Sequence, residues 1–338
     1  MSARRVMGSE RLASRIPRDR DECSLRAGRR TVRLTNLGKV FFPQRRLVKG
    51  DLLRYYAGVS DAVLPHLRDR AIVMKRYPNG IEGEHFFMKR TPSPRPEWIQ
   101  TCAIEHASGN VIDFPRVEDA ASLLWMVNLG CIDLHPWYAR CDDVDRPDFL
   151  NLDLDPTPGA GFDQVREAAL VVHRTLAGLG APSWAKTTGS RGIHIYVPIV
   201  RAPIQKEVWQ VAKAFALSLE SLYPELVTAR YRIADRPRNR VLVDYNQNAW
   251  GKTLASVYSV RPRPGATVSA PVTWEEIEEG IETEDLDIES VPERVAELGD
   301  LWAPLLSHRS RFDLETLLEG ERATRRKPLR EGGRAARR

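Results

Sequence analysis

No apolar stretch in this chain approaches the ~18 residues needed to cross a bilayer, and the first arginines are not followed by the apolar segment of a secretory leader. A membrane-bound or exported protein is therefore excluded from the expectation, and a soluble cytoplasmic one takes its place. Cysteine is scarce. Cys23, Cys102, Cys131 and Cys141 have no close paired spacing of the zinc-site kind, so free thiols in a reducing compartment are the simplest account. There is no internal repeat, which removes solenoids and propellers. Lysine is missing from residues 1–30, where arginine occurs nine times.

What is present begins with size and charge. A chain of 338 residues that is 42% hydrophobic can build one large or two ordinary domains. The net charge of +6 and a pI near 9.2 favour a polyanionic partner. The excess is concentrated at the ends, so residues 1–30 read as a basic N-terminal arm and 307–338 as a basic C-terminal tail. A solubilising role is the alternative for each.

The stretch that organises the rest is Phe149-Leu-Asn-Leu-Asp-Leu-Asp-Pro156. As a strand it sends Leu150, Leu152 and Leu154 to one face and Asn151, Asp153 and Asp155 to the other. Two carboxylates then stand roughly 7 Å apart on one edge and repel each other unless a cation lies between them. Hard divalent ions with oxygen ligands, Mg²⁺ or Mn²⁺, meet that need, and Pro156 places the pair at the carboxyl end of the strand. The plainer alternative is a strand end whose acids face water and cap the following helix. A third acid, Asp244, stands in the apolar run Val241-Leu-Val-Asp-Tyr, where an unpaired carboxylate is costly.

Around these acids the periodicity predicts alternating elements. A strand from Thr31 leads through Asn36-Leu-Gly-Lys39 to Pro43, and Asp51 is the expected N-cap of a helix carrying Leu52, Tyr56, Val59 and Val63. Lys39 and Lys49 would flank that helix start, a good place for a phosphate unless the lysines are merely solvated. Two strands joined by Pro-Asn-Gly carry Lys75 and the pair Phe86-Phe87. If extended, at most one of these rings belongs to a one-sided core, and the other is free for cross-strand packing or for stacking on a base. Cys131-Ile-Asp-Leu-His135 reads as a strand with His135 in phase with Asp133, and a lone histidine there is ordinarily structural. The turn Thr188-Gly-Ser-Arg-Gly192 offers unhindered N–H groups and a guanidinium to a phosphate, but it lacks the Gly-Lys-Ser/Thr ending of a P-loop and opens no helix. The strictly alternating strand 193–198 follows it, with His194 and Tyr196 opposite three aliphatics. Lys252, Arg261 and Arg263 add enough cation to meet a triphosphate, and Thr273 opens a short acidic helix.

These motifs, in this order, resemble the polymerase domain of bacterial DNA ligase D and the stand-alone primase-polymerases of the archaeo-eukaryotic primase superfamily. The resemblance runs from about Thr31 to Leu306 and makes 31–306 the catalytic domain. It implies an α/β (α+β) fold of two facing mixed β-sheets flanked by helices. The activity it implies is template-dependent addition of ribonucleotides or deoxynucleotides to a primer 3′-hydroxyl, through two Mn²⁺ or Mg²⁺ ions on Asp153, Asp155 and Asp244 with His135 nearby. Nucleotide contacts fall to Lys75, Thr188, Arg191, His194, Gln247, Lys252 and Arg261. Asn36, Lys39 and Lys49 match positions that hold the 5′-phosphate of a gap, and Phe86 and Phe87 match residues that stack on the template. The family often has Ser at the position of Thr188 and Lys at that of Arg191.

The expected partners are gapped or nicked DNA with a 5′-phosphate and NTP or dNTP, in a cytoplasmic, nucleoid-associated enzyme that fills short gaps in repair. With the length taken up by this unit and its arms, no ligase or nuclease module is expected, which leaves an end-joining partner of a separate ligase as the second reading. A silent nucleic-acid-binding module would not need all three acids. A metal-dependent nuclease would not need Lys252 and Arg261.

Overall fold

The computed structural model describes residues 8–315. Its centre is a six-stranded sheet in the order Val227–Thr228, Val241–Asp244, Phe149–Pro156, Ile193–Pro198, Trp184–Thr187, Pro271–Val272. Only the first two strands run parallel, so the sheet is mixed. The acidic strand Phe149–Pro156 occupies the interior of this order, which is why its residues are buried on both faces until Asp155. Helices Phe162–Gly178 and Gln205–Leu222 pack against it through apolar positions such as Val165, Ala168, Val172, Val208 and Ala212.

A smaller sheet, ordered Phe86–Met88, Ile72–Arg76, Cys131–Pro136, is antiparallel throughout. The two-sheet architecture matches expectation, although only the larger sheet is mixed. A two-stranded ladder of Ser259–Val260 and Val268–Ser269 ties the sheets together. On one side the Thr187 hydroxyl donates to the Val268 carbonyl, and the Thr187 amide donates to Ala270. On the other, the Leu134 amide donates to Ser259 Oγ and the Ser256 amide to the Leu134 carbonyl.

Three sequence expectations change. Residues 8–30 are not a loose arm: Gly8–Ser14 is a helix packed on helix Lys49–Gly58, and Cys23–Ala27 pairs with Arg30–Leu34 while burying Leu25, Ala27, Val32 and Leu34. The arginines of this segment sit on a fold whose apolar alternation is short and easily overlooked. At the other end, Phe312 bridges to Ile199 and Leu314 is buried, so the folded unit runs past 307. Residues 1–7 and 316–338, with the rest of both basic segments, lie outside the described residues. Asp51 is also not the N-cap. The helix starts at Lys49, and the Asp51 carboxylate reaches back from its first turn to accept from the Val48 amide at 2.8 Å. Thr273, by contrast, caps helix Trp274–Glu279 as its spacing predicts.

One buried ion group fixes the start of the acidic strand. Arg70, fully buried, donates to the carbonyls of His66, Trp137 and Tyr138 and to Asp148 Oδ2 at 2.7 Å, while Arg140 reaches the same oxygen at 3.0 Å. Burial pulls the Arg70 guanidinium below its ordinary pKa, and Asp148 opposes that shift. Removing Arg70 leaves buried Asp148 with Arg140 as its remaining cation and takes a donor from each of three carbonyls. Arg70→Met is expected to cost about 3–5 kcal/mol of unfolding free energy by denaturant titration, and a loss under about 1 kcal/mol would contradict this role.

Candidate active site

Backbone pairing brings the acids together. Asp153 lies opposite Asp244 on one side and opposite His194 on the other, and His194 lies opposite Lys186. The result is a cross-strand row Lys186, His194, Asp153, Asp244, with Asp155 one strand repeat further along. Asp244 is held by the Asn246 amide at 2.9 Å and by Gln247 Nε2 at 3.0 Å. His194 Nε2 stands 3.2 Å from Asp153 Oδ1, yet that oxygen, buried, accepts no hydrogen bond.

The electrostatics follow from this crowding. Burial and then the Asp244 charge push Asp153 up to about 7, against the pull of Lys186 and Arg261. For Asp155 the Asp153 charge leads, followed by burial and Asp244, and the carboxyl again rises to about 7 despite Arg191 and Arg236. Among the described residues no three His, Cys, Asp or Glu side chains form a ready-made metal cage. The donor set fits a hard cation on charge and chemistry instead: oxygens only, mutually repelling, one of them buried with no partner.

The turn Thr188–Gly192 closes over the acids. Thr188 Oγ1 accepts from the amides of Ser190 and Gly192, both at 3.1 Å, and Arg261 Nη1 donates to the Thr188 carbonyl at 2.6 Å. Gly192 approaches the acidic strand so closely that a Cβ there would stand 2.3 Å from the Leu154 carbonyl. Gly189 has φ +63°, and a Cβ would meet Arg261 Cγ and the Val268 backbone. Arg191 is exposed beside Asp155, whose charge it opposes.

From the smaller sheet comes a second group. Asp133, fully buried, has Oδ1 at 3.1 Å from His135 Nε2 and Oδ2 at 3.3 Å from Arg261 Nε. Burial alone would raise Asp133, but Arg261 and His135 outweigh it and hold the carboxyl well below the usual range. Lys75 sits opposite Asp133 in register, its ammonium lowered first by burial, then raised by Asp133 and lowered by Arg261 and Arg263. Its Nζ lies 5.5 Å from the Phe87 ring centre, while Arg76 stands 5.3 Å from Phe86. Phe86 and Phe87 are 43% and 58% exposed, so neither ring belongs to the core. Phe87 meets His135 edge-on at 5.9 Å.

Asn36, Lys39 and Lys49 form a separate cluster. Asn36 adopts a left-handed conformation with φ 55° and its carbonyl accepts from the Lys39 amide, while Lys39 Nζ donates to Asn79 and Lys49 Nζ to the Thr35 carbonyl. Burial, then the Lys39 charge, lowers Lys49 to about 8, with Asp21 opposing. Lys252 is exposed and joins none of these groups through a described side-chain bond.

Sequence reasoning passed over Asp133 and Lys186 as functional residues. Each was visible as a single charge inside an otherwise apolar strand, Asp133 two residues before His135 and Lys186 two before the turn.

Comparison with known proteins agrees with this geometry. The LigD primase-polymerase domain family matches residues 48–302. The chain is 34% identical over 276 residues to the multifunctional non-homologous end joining protein LigD of Mycolicibacterium smegmatis, covering 81% of this chain and 36% of that protein. It is 30% identical over 269 residues to the bifunctional LigD of Bacillus subtilis, covering 79% and 43%. The chain thus spans less than half of the length of these curated relatives. The solved polymerase domain of Mycobacterium tuberculosis ligase D in complex with DNA superposes with a TM-score of 0.76 at 31% identity, covering 82% of this chain and 98% of that one. A family match across the acids, the Thr188–Gly192 turn and the tie between the sheets, together with relatives at 30% identity or more, shows that this chain belongs to the LigD primase-polymerase domain family.

Proposed function

We propose that the chain is a nucleotidyltransferase of DNA repair, a template-dependent polymerase that adds ribonucleotides or deoxynucleotides to a primer 3′-hydroxyl at gaps or broken ends. The single observation that carries this reading is the row of Asp153 and Asp244 with Asp155 beside it, faced by a turn and cations suited to a triphosphate. A relative solved with DNA supports nucleic acid as the substrate class.

Asp153, Asp155 and Asp244 would hold divalent cations, Mn²⁺ or Mg²⁺, and two of them would supply an activated 3′-hydroxyl and charge neutralisation on the leaving pyrophosphate. The chain's own groups do the rest. Arg261, fixed by Asp133 and the Thr188 carbonyl, presents its guanidinium toward the same space as Lys75, whose proton affinity is lowered first by burial and then, against the pull of Asp133, by Arg261 and Arg263. Thr188 Oγ1 takes the Ser190 and Gly192 amides and so fixes the shape of the turn, leaving the exposed Arg191 guanidinium as the group the turn offers to phosphate oxygens. His194 stands beside it, Gln247 orients Asp244, and exposed Lys252 completes the nucleotide set. His135 stands between Asp133 and Phe87, where the two exposed rings offer a platform for unpaired template bases. Synthesis at gaps that a separate ligase then seals and synthesis at joined ends draw on the same residues.

Asp153→Ala or Asp155→Ala is expected to abolish nucleotide addition to a gapped duplex while leaving DNA affinity within a few-fold, because DNA is held by cations elsewhere. Undiminished extension by either variant removes the metal-site reading.

The raised carboxyls also set a pH dependence. Asp155 moves from an ordinary 3.8 to about 7 on folding, so its protonated form favours the fold fully below about pH 4 and that contribution is lost as pH rises through 7. In chelator, the melting temperature of wild type relative to Asp155→Asn should therefore fall between pH 5 and 8. A relative rise across that window contradicts the assignment.

Two lysines that repel each other beside Asn36 are suited to a terminal phosphate. Charge-assisted bonds of roughly 1.5–3 kcal/mol each imply that Lys39→Ala with Lys49→Met weakens binding to 5′-phosphorylated gaps by on the order of a hundredfold. Binding to unphosphorylated gaps should change much less. Equal losses on both substrates would make the lysines general backbone contacts.

A further inference from the structure

Lys186 is a lysine with no exposed surface, in the centre of the strand Trp184–Thr187. A methionine or leucine would fill that space without the cost of desolvating an amine, so the residue needs a reason. Its Nζ has three partners: the Ala255 carbonyl at 3.0 Å, Ser269 Oγ at 2.5 Å and His194 Nδ1 at 2.7 Å. The carbonyl can only accept. Ser269 gives its own proton to the Thr187 carbonyl, so it too must accept from lysine. Two N–H groups are thereby committed, and the third valence of the nitrogen meets His194 Nδ1. An ammonium donates there and a neutral amine accepts, and in both states the imidazole is tied by one nitrogen. The other, Nε2, is then turned toward Asp153 Oδ1, 3.2 Å away, on the acid side of the site.

We infer that Lys186 is a positioning residue for nucleotide addition, acting through His194: it holds the imidazole so that Nε2 faces the space shared by the acids and the incoming phosphates. The inference rests on the polymerase reading above. The register carries it, since Lys186, His194 and Asp153 occupy one row on three adjacent strands and the buried amine is the row's far anchor. A metal-ligating or phosphate-binding histidine is ordinarily fixed in this way through its second nitrogen, most often by a carboxylate or carbonyl. Here the partner is an amine whose other bonds go to the segment tying the two sheets together.

The competing account is that Lys186 only pins Ala255 and Ser269, and a double-mutant cycle separates the two. Lys186→Met keeps the length and removes all three bonds; circular dichroism and melting establish that it folds, and Lys186→Gln takes its place if it does not. In single-nucleotide extension of a gapped duplex, the variant is expected to raise KM for the nucleotide on the order of tenfold with a smaller change in kcat. His194→Ala should do the same, and the double variant should be no worse than His194→Ala alone. In metal-free protein carrying ¹⁵N-histidine, the His194 ring resonances should move in the lysine variant while those of the other histidines stay in place. Effects that multiply in the double variant, an unchanged KM, or unmoved His194 resonances overturn the inference. A wild-type protein that adds no nucleotide overturns the polymerase reading instead, and the resonance comparison then decides the Lys186 contact independently.

Discussion

The structure depends on one unfavourable interaction, the repulsion among carboxylates buried side by side on adjacent strands. Asp153 and Asp244 face each other across the sheet, Asp155 follows two residues later, and both members of the Asp153–Asp155 pair are held near pH 7 rather than in the ordinary acid range. A sheet built only for stability would replace them with aliphatics, as it does with Leu150, Leu152 and Leu154 on the opposite phase. The surrounding elements keep that repulsion from being relieved by water. Helices cover the acidic strand, Gly192 of the Thr188–Gly192 turn presses against it, and the Arg70–Asp148 pair anchors its beginning. What remains open is a demand for a cation.

A buried carboxylate and a buried amine sit behind the acids, one on each sheet. Asp133 on the smaller sheet holds Arg261 and adjoins His135, and Lys186 on the larger holds His194. Each has charged or hydrogen-bonding partners, which is the condition for its burial, and each contact orients a neighbouring side chain of the site. The ladder of Ser259–Val260 and Val268–Ser269 bonds to both: Ser259 reaches Asp133 and Leu134, and Ser269 reaches Lys186. The relative placement of the two histidines is therefore set by the segment that joins the sheets.

The sequence made the acidic strand legible to the residue, because alternation, length and the terminal proline all agree over 149–156. The long helices were equally plain, since 3.6-residue spacing persists over Phe162–Gly178 and Gln205–Leu222. The N-terminal hairpin was lost under its arginines, because charge outweighs a five-residue alternation in any reading of composition. Asp51 shows the limit of local rules: the same carboxylate can cap from the N-cap or from the first turn, and only the path of Leu47–Val48 into the helix decides. Pairing order could not be read at all. That Asp244 lies opposite Asp153 and Lys186 opposite His194 is a property of sheet register, which no single strand encodes.

The central claim is that folding without metal leaves carboxyls that hold protons near neutrality and surrender them to a cation. Calorimetric titration of Mn²⁺ into metal-free protein, repeated in buffers of different ionisation enthalpy, counts those protons directly. Near pH 6.5 the account predicts release of on the order of one proton per protein on metal binding, falling toward zero above about pH 8.5 and lost in Asp153→Asn with Asp155→Asn. Metal binding that releases no protons at pH 6.5, or that persists unchanged in the double variant, would contradict it.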